Sequence, residues 1–534
     1  GRHDNFFELG GHSLLAVSLL ERMRQAGLNA DVRVLFGQPS LAALAAAAGG
    51  APAVEVPANG IPAECAAITP AMLPLVSLTE AEIGAVVAQV EGGARNVQDI
   101  YPLGPLQEGV LFHHLAGSEG DPYLLNVMLS LDSREVLDGF VAALQAVIER
   151  HDILRTAVVW ESLRAPVQVV WRHAPLAVEE VALSAQDGEI EEQLAARFNP
   201  RRHRLDVRRA PLMHVGIAYD DERGRWLLQL LYHHLVMDHT GLEIVQREID
   251  AHLRGRAAHL SAPVPFRNFV AQARLGVSAQ EHESFFRAML GDVAEPTLAY
   301  GLADVQGDGG GLVEARRGVE EVLAQRLRQQ ARSLGVSVAS VFHLAWAQVV
   351  GRLSGRDDVV FGTVLFGRMH SGAGADRVLG MFINTLPIRV RLGEQCVAHG
   401  VRSTHAQLSR LLRHEHASLA LAQRGSGVAA PLPLFNALLN YRHVQTATAT
   451  AAPDAIAMPH GITFLGAEER TNYPLTLSVD DLGQGFDLVV QADARLEAAR
   501  VCGYMHMALE QLAQALEQTP ELPLRALDVL PAAE

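Results

Sequence analysis

A chain of 534 residues, 49% hydrophobic and 19% charged, is long enough to bury two to four separate cores. Its 44 Lys+Arg against 60 Asp+Glu give a net charge of −16 with no basic stretch, which argues against a nucleic-acid partner. Three scattered cysteines (Cys65, Cys396, Cys502) fit a reducing, cytoplasmic setting, and no apolar run of 18 residues or signal-peptide pattern points to a membrane.

Residues 1–48 read as a small helical unit. After Gly10-Gly11, the apolar residues Leu14, Leu15, Leu19 and Met23 outline an amphipathic helix ending near Gly27. Ser40 is placed to cap an Ala-rich helix that stops at Gly49-Gly50. Ser13 stands at the start of the first helix, where free backbone N–H groups favour a phosphodiester or simply a capping hydroxyl. The string DNFFELGGHSLLA (4–16) resembles the phosphopantetheine-attachment motif of peptidyl carrier proteins. That resemblance implies a 4′-phosphopantetheine on Ser13, added by a pantetheinyl transferase. The family's first helix is missing ahead of residue 1, so the chain reads as a segment of something longer.

Residues 49–94 follow as a linker and lead-in helix. Gly49, Gly50, Pro52, Pro57, Gly60 and Pro62 suggest a mobile connection, and 78–91 suggests a short helix. From 95 onward helices and strands alternate. Leu137, Phe140, Val141, Leu144 and Ile148 share one helix face, leading into the strand-like RTAVVW (155–160). WLLQLLYHHL (226–235) is apolar on both faces, as a central strand would be. A helix over 336–353 and a strand over 357–367 repeat the pattern. The expectation is an α/β (α+β) fold of two lobes, 95–262 and 263–534, with a seam near Pro263 and Pro265.

The buried strand ends in HHLVMDH (233–239). Neighbouring strand residues face opposite ways, so one of His233 and His234 should pack while the other faces a cavity, and a shared metal is disfavoured. Asp238 is placed to cap a turn or to pair with an arginine. The string resembles the HHxxxDG motif of the chloramphenicol-acetyltransferase-like superfamily, to which condensation domains of nonribosomal peptide synthetases belong. YPLGPLQEGVLFHH (101–114), RHDILRT (150–156), FRNFVAQ (266–272), GMFINTLPIR (380–389) and HEHASLALAQR (414–424) resemble further condensation motifs in the expected order. The resemblance implies a V-shaped domain with a tunnel between its lobes. His234 would face that tunnel, His233 would stand beside it, and Asp238 would pair with an arginine, for which Arg155 and Arg389 are the candidates. His239 replaces the motif's glycine.

A second histidine pair opens HHLAGSEGD (113–121), otherwise a helix end and a Gly-rich turn. It resembles the HH[I/L]xxxxGD motif of dual epimerisation/condensation domains, through His113, His114, Leu115, Gly120 and Asp121. TNYPLTLSVDD (471–481), with Asn472 and Tyr473, resembles the same subtype. The implied function is epimerisation of the L-residue on the upstream carrier, then condensation with the aminoacyl thioester of a downstream carrier. Adenylation domains of the parent synthetase would load both carriers. Direct roles for His113 or His114 and purely structural ones both stand open. Condensation without epimerisation, a silent recruitment domain and a free acyl-CoA acetyltransferase are the competing readings. No Gly-rich loop ending in Lys-Ser/Thr is present, so ATP use belongs elsewhere.

Overall fold

The computed structural model describes all residues except 8, 10, 12–14, 17–18, 21, 24–25, 29–33, 36–37, 50–53, 118–119, 304–310, 369–376, 444–460, 469–470 and 531–534. Ser13 therefore lies outside the described residues. In chain order the leading elements are α1 (Leu41–Ala47), α2 (Glu80–Val87), β1 (Val97–Pro102), α3 (Pro105–Ala116), β2 (Leu124–Leu131), α4 (Arg134–Arg150), β3 (Thr156–Val159), β4 (Val167–Trp171), β5 (Ala177–Glu180), α5 (Ile190–Arg197), β6 (Met213–Asp220), β7 (Arg225–His233) and α6 (His239–Leu253). There follow α7 (Arg267–Leu275), α8 (Ala279–Leu290), β8 (Leu312–Val319), α9 (Glu321–Leu334), α10 (Val338–Ser354), β9 (Asp358–Leu365), β10 (Asn384–Arg391), α11 (Val397–Leu412), α12 (Leu419–Arg424), β11 (Ala437–His443), β12 (Ile462–Glu468), β13 (Leu475–Asp481), β14 (Phe486–Asp493) and α13 (Ala498–Gln518). Among the described residues no single helix is long and apolar enough to cross a membrane.

In the leading segment Ser40 caps α1, its hydroxyl accepting the Ala43 N–H at 3.2 Å. Gly11 donates its N–H to the Phe6 carbonyl at 2.8 Å, and a Cβ there would fall 2.4 Å from the Phe6 ring, so the turn ahead of Ser13 admits only glycine. Phe7, Ala16, Leu20, Leu35 and Leu44 are buried against the C-terminal lobe, with Phe7 edge-on to His405 at 5.6 Å.

The expected mobile linker is packed instead. Ile61, Cys65 and Ile68 are buried with Leu73, Leu78, Ile83 and Val86 against β1 and β4. Asn59 donates to the Gln98 carbonyl at 2.8 Å, Arg172 to Pro62 at 2.7 Å, and Arg267 to the Pro57 carbonyl. A few spaced apolar residues and unpaired carbonyls suffice to anchor a Pro/Gly-rich strand of chain, which composition alone conceals. The helix after it is shorter than expected because Thr79 and Glu82 form a reciprocal capping box, starting it at Glu80.

The N-terminal lobe holds a three-stranded sheet, β1-β4-β3, and a five-stranded sheet, β12-β2-β7-β6-β5. Strand β7 is central, and every residue from Leu227 to His233 is buried. α4 presents Leu137, Phe140, Leu144, Val147 and Ile148 to the core, as its periodicity predicts. The C-terminal lobe is one six-stranded sheet, β10-β9-β11-β13-β14-β8, with α10 and α13 packed in its core. The lobes interlace across the seam expected near 263. β12, deep in the second half of the chain, pairs antiparallel with β2, and Phe266, Phe269 and Val378–Phe382 pack into the N-terminal core.

One core histidine makes stability depend on pH. His343 on α10 is buried, with Nδ1 donating to the Ala339 carbonyl at 2.7 Å and Nε2 accepting from Thr363 at 2.8 Å. Burial depresses its pKa from 6.5 to about 4. Its folded value lies below its unfolded one, so its contribution is intact above pH 6.5 and lost as pH falls toward 4. At 1.36 kcal/mol per unit, the loss is about 3 kcal/mol. Asp99, pushed up to about 6 by burial against the pull of Arg267, acts in the opposite sense over pH 6 to 4. On going from pH 7.5 to 4.5 a His343→Leu/Thr363→Val variant should therefore lose less urea stability, or gain more, than the wild type; the same signed change in both would contradict the assignment.

Candidate active site

Two histidine pairs meet where β7 ends and β2 begins. Leu124 of β2 lies opposite His233 of β7, so the residue before β2, Tyr123, adjoins the residue after β7, His234. The His234 N–H donates to the Tyr123 carbonyl at 2.9 Å. Both histidines are buried, His233 at 0% exposed and His234, the first residue past β7, at 7%.

His233 and His114 share one carboxylate. His233 Nε2 lies 3.0 Å and His114 Nδ1 2.5 Å from Asp121 Oδ2, while the Tyr123 N–H donates to Oδ1 at 2.9 Å. The Leu235 N–H donates to His233 Nδ1 at 3.1 Å, so the ring is neutral with its hydrogen on Nε2, aimed at Asp121. Burial pushes the Asp121 carboxyl up, but the His114 and His233 hydrogen bonds outweigh it and hold it well below the usual carboxylate range. Burial likewise depresses the His233 pKa despite Asp121. The ligand-type atoms of His114, Asp121 and His233 lie within 4.8 Å of one another, as in a metal site. The His233 tautomer turns an N–H rather than a lone pair toward the centre, so the geometry is that of a hydrogen-bonded clamp. His114 and His233, both candidates from sequence, are brought together here on the one carboxylate of Asp121.

The rest of the 113–121 motif builds that clamp. Gly120 has φ +61°, and a Cβ there would fall 2.3 Å from the Arg201 carbonyl oxygen, which excludes other residues. Arg204 caps the end of α3 by donating to the carbonyls of Gly117 (2.6 Å), Gly120 (3.1 Å) and His114.

His234 turns away from that clamp. Its Nδ1–H donates to the Met237 carbonyl at 3.0 Å, which leaves the Nε2 lone pair without a partner among the described residues. Asp238 does both things its position suggested. It caps α6 by accepting the Gly241 N–H at 2.8 Å, and it also takes the Phe382 N–H at 3.2 Å. Its arginine is Arg368, 3.1 Å from Oδ1, which also donates to the Val378 carbonyl at 2.6 Å and stacks on Phe382 at 3.9 Å.

Neither Arg155 nor Arg389 is that partner. Arg155 follows a tight turn and spends its donors on Gln98 and the carbonyls of Ile148, Trp171 and Arg172. Arg389 lies on the edge strand β10 and pairs with Asp358 at 2.6 Å and with Asp292. Arg368 escaped notice because it lies in a loop three residues past β9, where no periodicity marks it. His239 is the exposed first residue of α6, 3.7 Å from Glu243.

His113 is half-buried beside Tyr123. Its ring lies 5.8 Å from the Tyr123 ring, which stands edge-on to His234 at 6.4 Å. The Tyr123 hydroxyl donates to Asn472 Oδ1 at 3.1 Å, and Asn472 Nδ2 points at His113 Nε2 at 3.4 Å. Burial lowers the His113 pKa despite Asp121, favouring a neutral ring, and burial together with Tyr473 raises that of the Tyr123 phenol, keeping it protonated. Tyr473 itself stacks on Phe435 at 5.8 Å. Sequence inspection passed over Tyr123, whose only signal is its place two residues after Asp121.

The family models place these residues in known company. Residues 1–48 match the phosphopantetheine attachment site and 97–534 the condensation domain. The chain is 51% identical to malpibaldin synthetase and 48% to malpinin synthetase, both of Mortierella alpina, over its whole length. It is 30% identical over 88% of its length to a protein of the linear gramicidin synthase of Brevibacillus parabrevis. It spans only 10%, 7% and 6% of those proteins. Among solved structures, the first condensation domain of the calcium-dependent antibiotic synthetase matches 82% of this chain and all of its own, with TM-score 0.59 at 18% identity. A four-domain nonribosomal peptide synthetase matches 82% of this chain and 34% of its own, with TM-score 0.65 at 16% identity. These likenesses carry the two-lobed fold. The covalent 4′-phosphopantetheine follows from the attachment-site match over residues 1–48. The chain is a member of the condensation-domain family of nonribosomal peptide synthetases, led by a phosphopantetheine-attachment segment.

Proposed function

We propose that the chain epimerises the donor residue held on Ser13 and then condenses it with an aminoacyl thioester on a downstream carrier. The bound 4′-phosphopantetheine would supply the thioester that activates the donor carbonyl and acidifies its α-hydrogen. In condensation His234 Nε2 orients the attacking amine and takes up its proton, while Met237 fixes the ring from the Nδ1 side. Holding both substrates at one imidazole supplies much of the rate through proximity.

Inverting an α-carbon requires a proton to leave one face and another to arrive at the opposite face. The observation that carries this reading is that two imidazoles, His234 and His113, both lie against the ring of Tyr123. His234 Nε2, which carries a lone pair, would take the α-proton from one face, and His113, neutral and with its Nε2 lone pair held by Asn472, would return the proton of its Nδ1–H to the other. Condensation alone is favoured by a different observation: His114, Gly120 and Asp121 already have structural tasks that need no second reaction. Chiral analysis of the dipeptide made from an L-loaded Ser13 arm separates the two. The proposal expects the D-configured donor in the product, and an all-L product would leave condensation as the whole activity.

A further inference from the structure

We infer that Tyr123 is a positioning residue for the epimerisation half of the site, holding His113 and His234 in register through three separate bonds. Its backbone carbonyl receives the His234 N–H at 2.9 Å, and its hydroxyl reaches His113 through Asn472 at 3.1 and 3.4 Å. Its own N–H is pinned by Asp121 at 2.9 Å, and Asp121 in turn is fixed by His114 and His233. The inference rests on the dual-activity reading and adds to it the element that links the two imidazoles.

The arrangement also divides the labour within this residue. The bond to His234 belongs to the backbone and survives any side-chain change. The link to His113 belongs to the phenol oxygen and disappears in Tyr123→Phe. Asn472 accepts from the phenol, which leaves its amide hydrogens facing His113 Nε2. Without the phenol the amide loses the donor that holds its oxygen away from His113, and with it one bond that selects the tautomer of His113 with a lone pair on Nε2. Condensation, centred on His234, depends far less on that choice than proton exchange does.

The test uses the full chain with Ser13 loaded by a pantetheinyl transferase from alanyl-, leucyl- or phenylalanyl-coenzyme A. Deuterium entry at the donor α-carbon in D2O is measured beside peptide formation from D-loaded donor and an aminoacyl-pantetheine acceptor. The expected result is that Tyr123→Phe slows deuterium entry at least ten times more than it slows condensation. Asn472→Ala should show the same split, and the double variant should be no worse than either single one. Equal losses in both reactions would mean a merely structural tyrosine and overturn the inference, as would unchanged exchange. Absence of exchange in the wild type overturns the dual-activity reading itself, together with what is built on it.

Discussion

Replacing His234 by alanine is expected to lower peptide formation by about 10²–10⁴-fold, the usual contribution of a positioned acid–base group. The ring has one nitrogen committed to Met237 and the other open, so the substitution removes the one lone pair that β7 delivers to the site. A residual rate should persist, because tethering still brings amine and thioester together. His234→Asn retains a polar side chain of similar reach and should be equally inactive if proton transfer, rather than bulk, is what matters. The measurement is single-turnover dipeptide formation, with urea unfolding as a check on the fold. Output within a few-fold of wild type would return the chain to the class of silent recruitment domains.

The second large effect concerns stability. Arg368→Ala should cost about 3–5 kcal/mol, because it leaves the buried Asp238 carboxylate without its charge partner. Asp238 also caps α6 and receives the Phe382 N–H, so one residue joins β7, α6 and the loop entering β10. Replacing both members, Asp238→Asn with Arg368→Met, should recover a good part of the loss, because no naked charge then remains. The urea midpoint reads this directly. A shift below about 1 kcal/mol for Arg368→Ala would show that Asp238 is satisfied by its backbone donors alone.

Much of the architecture was legible because it rests on local rules. The periodicity of 137–148 gave the α4 face, and the doubly apolar run gave the central strand β7. What escaped was set by contacts between distant segments. Arg368 meets Asp238 across 130 residues, and Arg267 meets the Pro57 carbonyl across 210. Composition marked 49–68 as loose, since Gly and Pro disfavour helices and strands. Yet three buried side chains and borrowed donors hold it in place. The second histidine pair was visible as a motif, but the different partners of its members, Asp121 for His114 and Asn472 for His113, depend on where Asp121 lands.

Strand β12 also decides how such a protein can be taken apart. It leaves the C-terminal lobe to close the outer edge of the sheet that carries the histidines, lying directly against β2. A half-molecule ending near residue 262 would expose that edge as an unpaired row of donors and acceptors, open to self-association. The lobes are therefore not interchangeable parts. A graft that trades one lobe between relatives has to carry residues 462–468 with the N-terminal half, or match their register to the new β2.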